Sequence, residues 1–91
     1  MQWDSRPGQD LIEQGVDDLR RGRETIPALL VSIGAPRLVR LGVRLPEGVI
    51  RSPEKRLYRR LWETDPDSAH SRYNALLRRL VSFERALECV S

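Results

Sequence analysis

Asp65 to Val90 reads DPDSAHSRYNALLRRLVSFERALECV, and the fold turns on whether this stretch is one helix. Asp65, Pro66 and Asp67 form a start signal: a carboxylate able to accept backbone N–H groups, then a proline whose missing N–H costs nothing in a first turn. From there Ala69, Tyr73, Leu76, Leu80, Phe83, Leu87 and Val90 follow at spacings of 4, 3, 4, 3, 4 and 3. That alternation puts all seven on one stripe of an α-helix, as in a helix packed lengthwise on a neighbour. Leu77 widens the stripe. The sequence therefore predicts a continuous C-terminal helix over 66–90, the longest element of the chain. Three heptads are the lower limit for a coiled coil, so the pattern specifies helix packing and leaves open whether the neighbour is in the same chain or another. Arg78 and Arg85, with Ser71, fall opposite the stripe. Arg72 and Arg79 flank it, where they can close ion pairs across an interface.

The pattern at Leu76–Leu80, LLRRL, has an earlier counterpart, LYRRL, at Leu57–Leu61. Helical geometry puts Leu57, Tyr58, Leu61 and Trp62 on one face and Arg56, Arg59, Arg60 and Glu63 on the other. Both arginine pairs are thereby explained as the solvated sides of amphipathic turns. Ser52 followed by Pro53 and Glu54 marks the start of this third helix, with Ser52 as cap and Pro53 in the first turn. On these grounds Tyr58 and Trp62 are core or core-edge residues rather than a platform for stacked bases.

Toward the N-terminus, VRLPEGVIR (Val43 to Arg51) places Pro46 and Gly48 where a type I turn prefers them, and reads as a loop or a tiny hairpin. ALLVSI, Ala28 to Ile33, is apolar on nearly every side, the mark of a helix enclosed by others. Thr25 is its expected N-cap and Pro27 sits in its first turn. Gly34, Ala35 and Pro36 interrupt it, so a kink or a restart is expected at Pro36, with Pro36–Gly42 as a short separate helix. Leu11, Ile12, Val16 and Leu19 recur at helical spacing from about Gln9, with Gly22 as the stop and Asp17–Arg21 as an i, i+4 ion pair. Residues 1–8 have no sustained period and are expected to be a flexible lead-in.

The fold class that results is all-α: a small helical bundle of four to five helices with a long C-terminal helix, forming a single domain over 1–91. At 91 residues, 40% hydrophobic and 32% charged, the chain is too apolar for disorder and near the size at which one core suffices. The longest apolar run, Ile26 to Ile33, is interrupted by Pro27 and Ser32 and is far short of the ~20 residues that cross a bilayer. One cysteine, Cys89, allows no internal disulfide, and no charged-then-apolar leader opens the sequence; a cytoplasmic location is the expectation.

Net charge is +3 and unevenly laid out. Residues 1–24 carry 4 basic and 6 acidic groups, 25–62 carry 8 and 2, and 63–91 carry 4 and 5. The basic middle and the helix, short turn, helix layout of 53–90 invite comparison with a helix-turn-helix reader of nucleic acid. In that alternative the basic segment 37–60 and the helix 66–90 are the binding elements. Asn74 and Arg78, with Ser71 and Ala75, face base edges, and Arg56, Arg59 and Arg60 meet phosphates. Asp65 and Asp67 oppose it, since they crowd the helix N-terminus where a phosphate would sit. No zinc-finger spacing, paired RNA-stacking aromatics or glycine-rich phosphate loop is present.

Catalytic chemistry has no constellation to work with. His70 and Cys89, each the sole residue of its kind, are separated by roughly 28 Å of helix at 1.5 Å per residue. Asp17 and Asp18 are adjacent and point to different faces, so they do not converge on a substrate. Asp65, Asp67 and His70 read as a capped, solvated helix start rather than a metal site. No cofactor is implied.

The expectation is a small non-catalytic module that binds another protein or its own copies. Its interface would be drawn from Tyr73, Leu76, Leu80, Phe83, Leu87, Arg72 and Arg79; solvent exposure of Val81, Trp3 or Tyr58 would favour such an interface.

Overall fold

The computed structural model describes residues 7–90, apart from the side chain of Val90. Four helices occur among them: α1 Gln9–Arg20, α2 Ile26–Arg40, α3 Pro53–Thr64 and α4 Ala69–Val90. No described residue is in a strand, so 43–51 resolves as a loop. The expected lead-in lies mostly outside the described residues, as does Trp3. Pro7 and Gly8 are the exceptions; Gly8 is the N-cap of α1, where a Cβ would come within 2.9 Å of the Arg79 carbonyl oxygen of α4.

The central place expected for the ALLVSI helix is what the structure has: α2 packs against α1, α3 and α4. Ala28, Leu29, Leu30, Val31 and Leu38 are wholly buried on it, joined by Ile12 and Leu19 from α1 and Leu57 and Leu61 from α3. Each such aliphatic side chain stabilises the fold by about 1.5–3 kcal/mol.

The expected restart at Pro36, with a separate short helix after it, does not occur. α2 runs from Ile26 to Arg40 through the proline. Pro36 is on the exposed side of the helix, while Leu29, Leu30, Val31 and Leu38 are buried before and after it. Burial of several such residues outweighs the ~3 kcal/mol that an interior proline costs. Ile26–Arg40 is therefore one element, and the helices among the described residues number four.

Gly15 and Gly34 work by having no side chain. A methyl group on Gly15 would collide with the Pro27 carbonyl oxygen of α2, so this residue sets how closely α1 approaches α2. A methyl group on Gly34 would come within 2.8 Å of Leu80 Cδ1 and 3.1 Å of Glu84 Oε2 on α4.

The expected signals at Thr25 and Gly22 hold. Thr25 Oγ1 accepts from the Ala28 N–H at 3.2 Å and donates to Asp18 Oδ2 at 2.6 Å, tying the end of α1 to the start of α2. Gly22 takes a φ of 74° just past α1, and Asp17 pairs with Arg21 at 3.1 Å. Ser32 Oγ accepts from the Ile50 N–H at 3.1 Å, pinning the 43–51 loop to α2.

Two expected starts are corrected. Ser52 precedes α3 but has φ 49° and ψ 49° and makes no capping hydrogen bond with its side chain, because a cap needs extended backbone to aim its oxygen into the first turn. α4 begins at Ala69, not Pro66. Asp65 spends its carboxylate on a turn instead, accepting from the Asp67 N–H at 3.2 Å and the Ser68 hydroxyl at 2.9 Å.

Candidate binding face on the third and fourth helices

α4 turns one flank to the core and another to solvent. On the inner flank Ala69, Leu80 and Phe83 are buried, and Tyr73, Leu76 and Leu87 pack part-buried against the same cluster. The stripe read from the sequence is thus laid on the chain's own α2 and α3; the side chain of its last member, Val90, lies outside the described residues. Arg79 pairs with Asp10 of α1 at 3.6 Å, within the chain. Arg72 is exposed and makes no ion pair with a described residue.

The inner flank also carries Glu84, only 4% exposed. Burial pushes its carboxyl above the usual range, Arg37 opposes that, and the neighbouring charge of Glu88 adds to it. Arg37 Nε stands 3.9 Å from Glu84, and its Nη2 donates to Glu88 Oε2 at 2.8 Å, so one guanidinium serves two carboxylates. This is a packing device between α2 and α4. Sequence reading missed it because nothing distinguishes Glu84 from the solvated acids around it.

The outer flank is an open groove of about 490 Å³ lined by Asn74, Leu77, Arg78, Val81, Ser82 and Arg85. Every lining residue is on α4, so no other element covers it. Val81 is 38% exposed; Leu77 is part-exposed and, like Tyr73, also packs with its inner side against the core cluster. Arg78 and Arg85 make no ion pair with a described residue. The i, i+4 pair Leu77–Val81 is legible in the sequence as a second apolar line beside the main stripe.

This line continues onto α3. Tyr73, one turn before Leu77, meets Tyr58 edge to face, with ring centroids 5.6 Å apart and planes at 77°, a geometry that aromatic pairs prefer. The two rings form a second open groove with Glu54, Lys55 and Arg59. Burial raises the Tyr73 hydroxyl pKa, and Glu54 nearby adds to that.

The expectation that Tyr58 and Trp62 belong to the core or its edge is corrected: they are 38% and 53% exposed. α3 buries only Leu57 and Leu61. Those two lie 400° apart, so a narrow arc is enough to seat the helix, and residues one position on fall outside it.

The residues proposed for nucleic acid are dispersed. Arg56 and Arg60 reach the same Glu24 at 3.0 and 3.9 Å, so its carboxylate offsets part of the charge they would offer a phosphate. Arg59 points elsewhere, beside the tyrosines. Asn74 lies 3.2 Å from His70 Nε2 and shares the α4 groove with Arg78. Cys89 is exposed. Among the described residues no group of three His, Cys, Asp or Glu side chains is placed to hold a metal ion, and no helix is long and apolar enough to cross a membrane.

No protein family, curated protein or solved structure matches the chain.

Proposed function

We propose that the chain is a non-catalytic helical module that binds another protein through the outward face of α3 and α4. The observation that carries this reading is the exposure of Tyr58 and Val81, each 38%, at the two ends of a line that runs through Tyr73 and Leu77. Exposed aliphatic and aromatic residues scattered singly need no explanation; a connected line of them, rimmed by charge, is the composition of an interface. Trp62, 53% exposed on the same helix as Tyr58, adds a large side chain of the kind that anchors protein contacts. The inner residues Leu80 and Phe83 act indirectly, by holding α4 so that its outer flank is presented.

The test is affinity capture with the wild-type chain and with Val81→Ser in parallel, each checked by circular dichroism and by absorbance at 260 and 280 nm. The expected result is a protein retained by the wild type and lost by a variant that melts at the same temperature. Retention of the same protein by both would overturn the reading.

A second reading, nucleic-acid binding, is supported by Lys55 and Arg59 standing beside the two tyrosine rings. It requires affinity that falls steeply with salt and drops when Lys55, Arg59 and Arg78 are replaced together. An unshifted DNA or RNA band at low salt removes it.

A further inference from the structure

The protein-binding reading leaves open what kind of surface the outer flank of α4 receives, and the inference that follows rests on that reading. We infer that the partner's docking element is an acidic amphipathic helix lying along Asn74–Arg85.

Charge is the first argument. Arg21, Arg23, Arg37, Arg56, Arg60 and Arg79 find acids within the chain, while Arg20, Arg40, Arg44, Arg51, Arg59 and Arg72 find none among the described residues; what sets the α4 strip apart is that its free arginines flank an open apolar pair. Arg78 and Arg85, on the rim of the groove, find none among the described residues. The only acid between Asn74 and Arg85 is Glu84, which is turned inward and buried. Lys55 and Arg59 extend the basic rim at the α3 end, against Glu54 alone. Covering unpaired guanidinium groups with an uncharged surface strips their water without return, so a stable cover must bring carboxylates.

Shape is the second argument. The groove is a strip along one helix, about 18 Å long at 1.5 Å per residue, with Leu77 and Val81 one turn apart at its centre. An opposing helix meets such a strip with apolar residues at the same i, i+4 interval and acids on either side.

A second copy of the chain brings no free carboxylate to the strip, since its only acid over Asn74–Arg85, Glu84, is buried. In an antiparallel two-fold pairing centred between Val81 and Ser82, Arg78 of one copy faces Arg85 of the other; in a parallel pairing each arginine faces its own twin. Both arrangements set like charges together without an acid to separate them. Nucleic acid would satisfy the arginines but leave Leu77 and Val81 against phosphates.

The experiment is fluorescence anisotropy with two labelled synthetic helical peptides and a labelled oligo-dT strand. The peptides share a leucine pair at i, i+4 and differ only in their flanking residues, glutamate in one and lysine in the other. The expected result is that the glutamate peptide binds the wild-type chain at least about tenfold tighter than the lysine peptide. In Arg78→Glu/Arg85→Glu the order should reverse. Val81→Ser should weaken the glutamate peptide while melting like the wild type. Equal binding of both peptides, still lost in Val81→Ser, overturns the acidic partner and leaves the protein-binding reading standing. Binding of oligo-dT but neither peptide, insensitive to Val81→Ser, overturns both. Failure of the wild type to bind either peptide overturns the inference.

Discussion

Leu80 and Val81 are consecutive aliphatic residues in the middle of α4, and they have opposite surroundings. Leu80 is 4% exposed and rests against Gly34 of α2, whereas Val81 is 38% exposed and lines a groove to which only α4 contributes. The apolar arc of α4 is wider than α2 and α3 together can cover. One flank is fixed by the fold, and the other is left over. A helix that only closed its own core would need the first flank alone, so the second is the part of the molecule with function still to assign.

Four substitutions on α4 and one on its neighbour separate the two flanks. The largest effect is expected from Leu80→Asp, which places a charge in the core at a cost of about 4 kcal/mol or more and unfolds the chain. Circular dichroism at 222 nm should then lack the helical signal. Phe83→Ala should come next, at about 3–4 kcal/mol, through lost burial and a cavity, read as a lower urea midpoint with little change in slope. Gly34→Ala should cost about 1 kcal/mol: the new methyl meets Leu80 and Glu84 side-chain atoms that can move, and alanine's better helix propensity recovers part of the strain. A larger loss there would mean that α2 and α4 approach more tightly than described.

Glu84→Gln should have a smaller effect of opposite sign. Burial raises the Glu84 pKa above its ordinary 4.5, so the native chain holds that proton to higher pH than the unfolded chain does. The stability linked to the proton is complete below about 4.5 and is lost as pH rises through the raised folded value. Glutamine never ionises. Its melting temperature at neutral pH should therefore equal or exceed that of the wild type, and the decline in stability as pH rises above about 4.5 should flatten. The smallest effect on folding belongs to Val81→Asp, within about 0.5 kcal/mol, as for a surface change; a melting temperature far below wild type would erase the distinction between the flanks.

Much of this arrangement is legible in the sequence where a side chain's pattern and its burial share one cause. The 4, 3 spacing from Ala69 to Leu87 gave the inner flank of α4, and the Thr25–Pro27 pair gave the start of α2, because both signals are local. The restart expected at Pro36 and the helix start expected at Asp65–Pro66 differ from the structure for the opposite reason. Pro36 is outweighed by leucines that meet other helices, and Asp65 caps a turn instead of a helix; neither competition is decided by neighbours in the chain. Gly15 and Gly34 carry no pattern at all, since their role is set by the backbone that crosses them. The candidate face was half legible. Leu77 and Val81 could be read as a second line, but the exposure of Tyr58 and Trp62 depends on how narrow an arc α3 presents to α2.

The most direct test is solvent paramagnetic relaxation of methyl signals in the folded wild-type chain, with a soluble gadolinium chelate as the probe. The Val81 methyls should broaden strongly while those of Leu80, one residue away, remain nearly unaffected, as should Leu57 and Leu61 in the core. Equal broadening of Leu80 and Val81, or protection of both, would contradict the division of α4 into a flank that builds the fold and a flank left open to solvent.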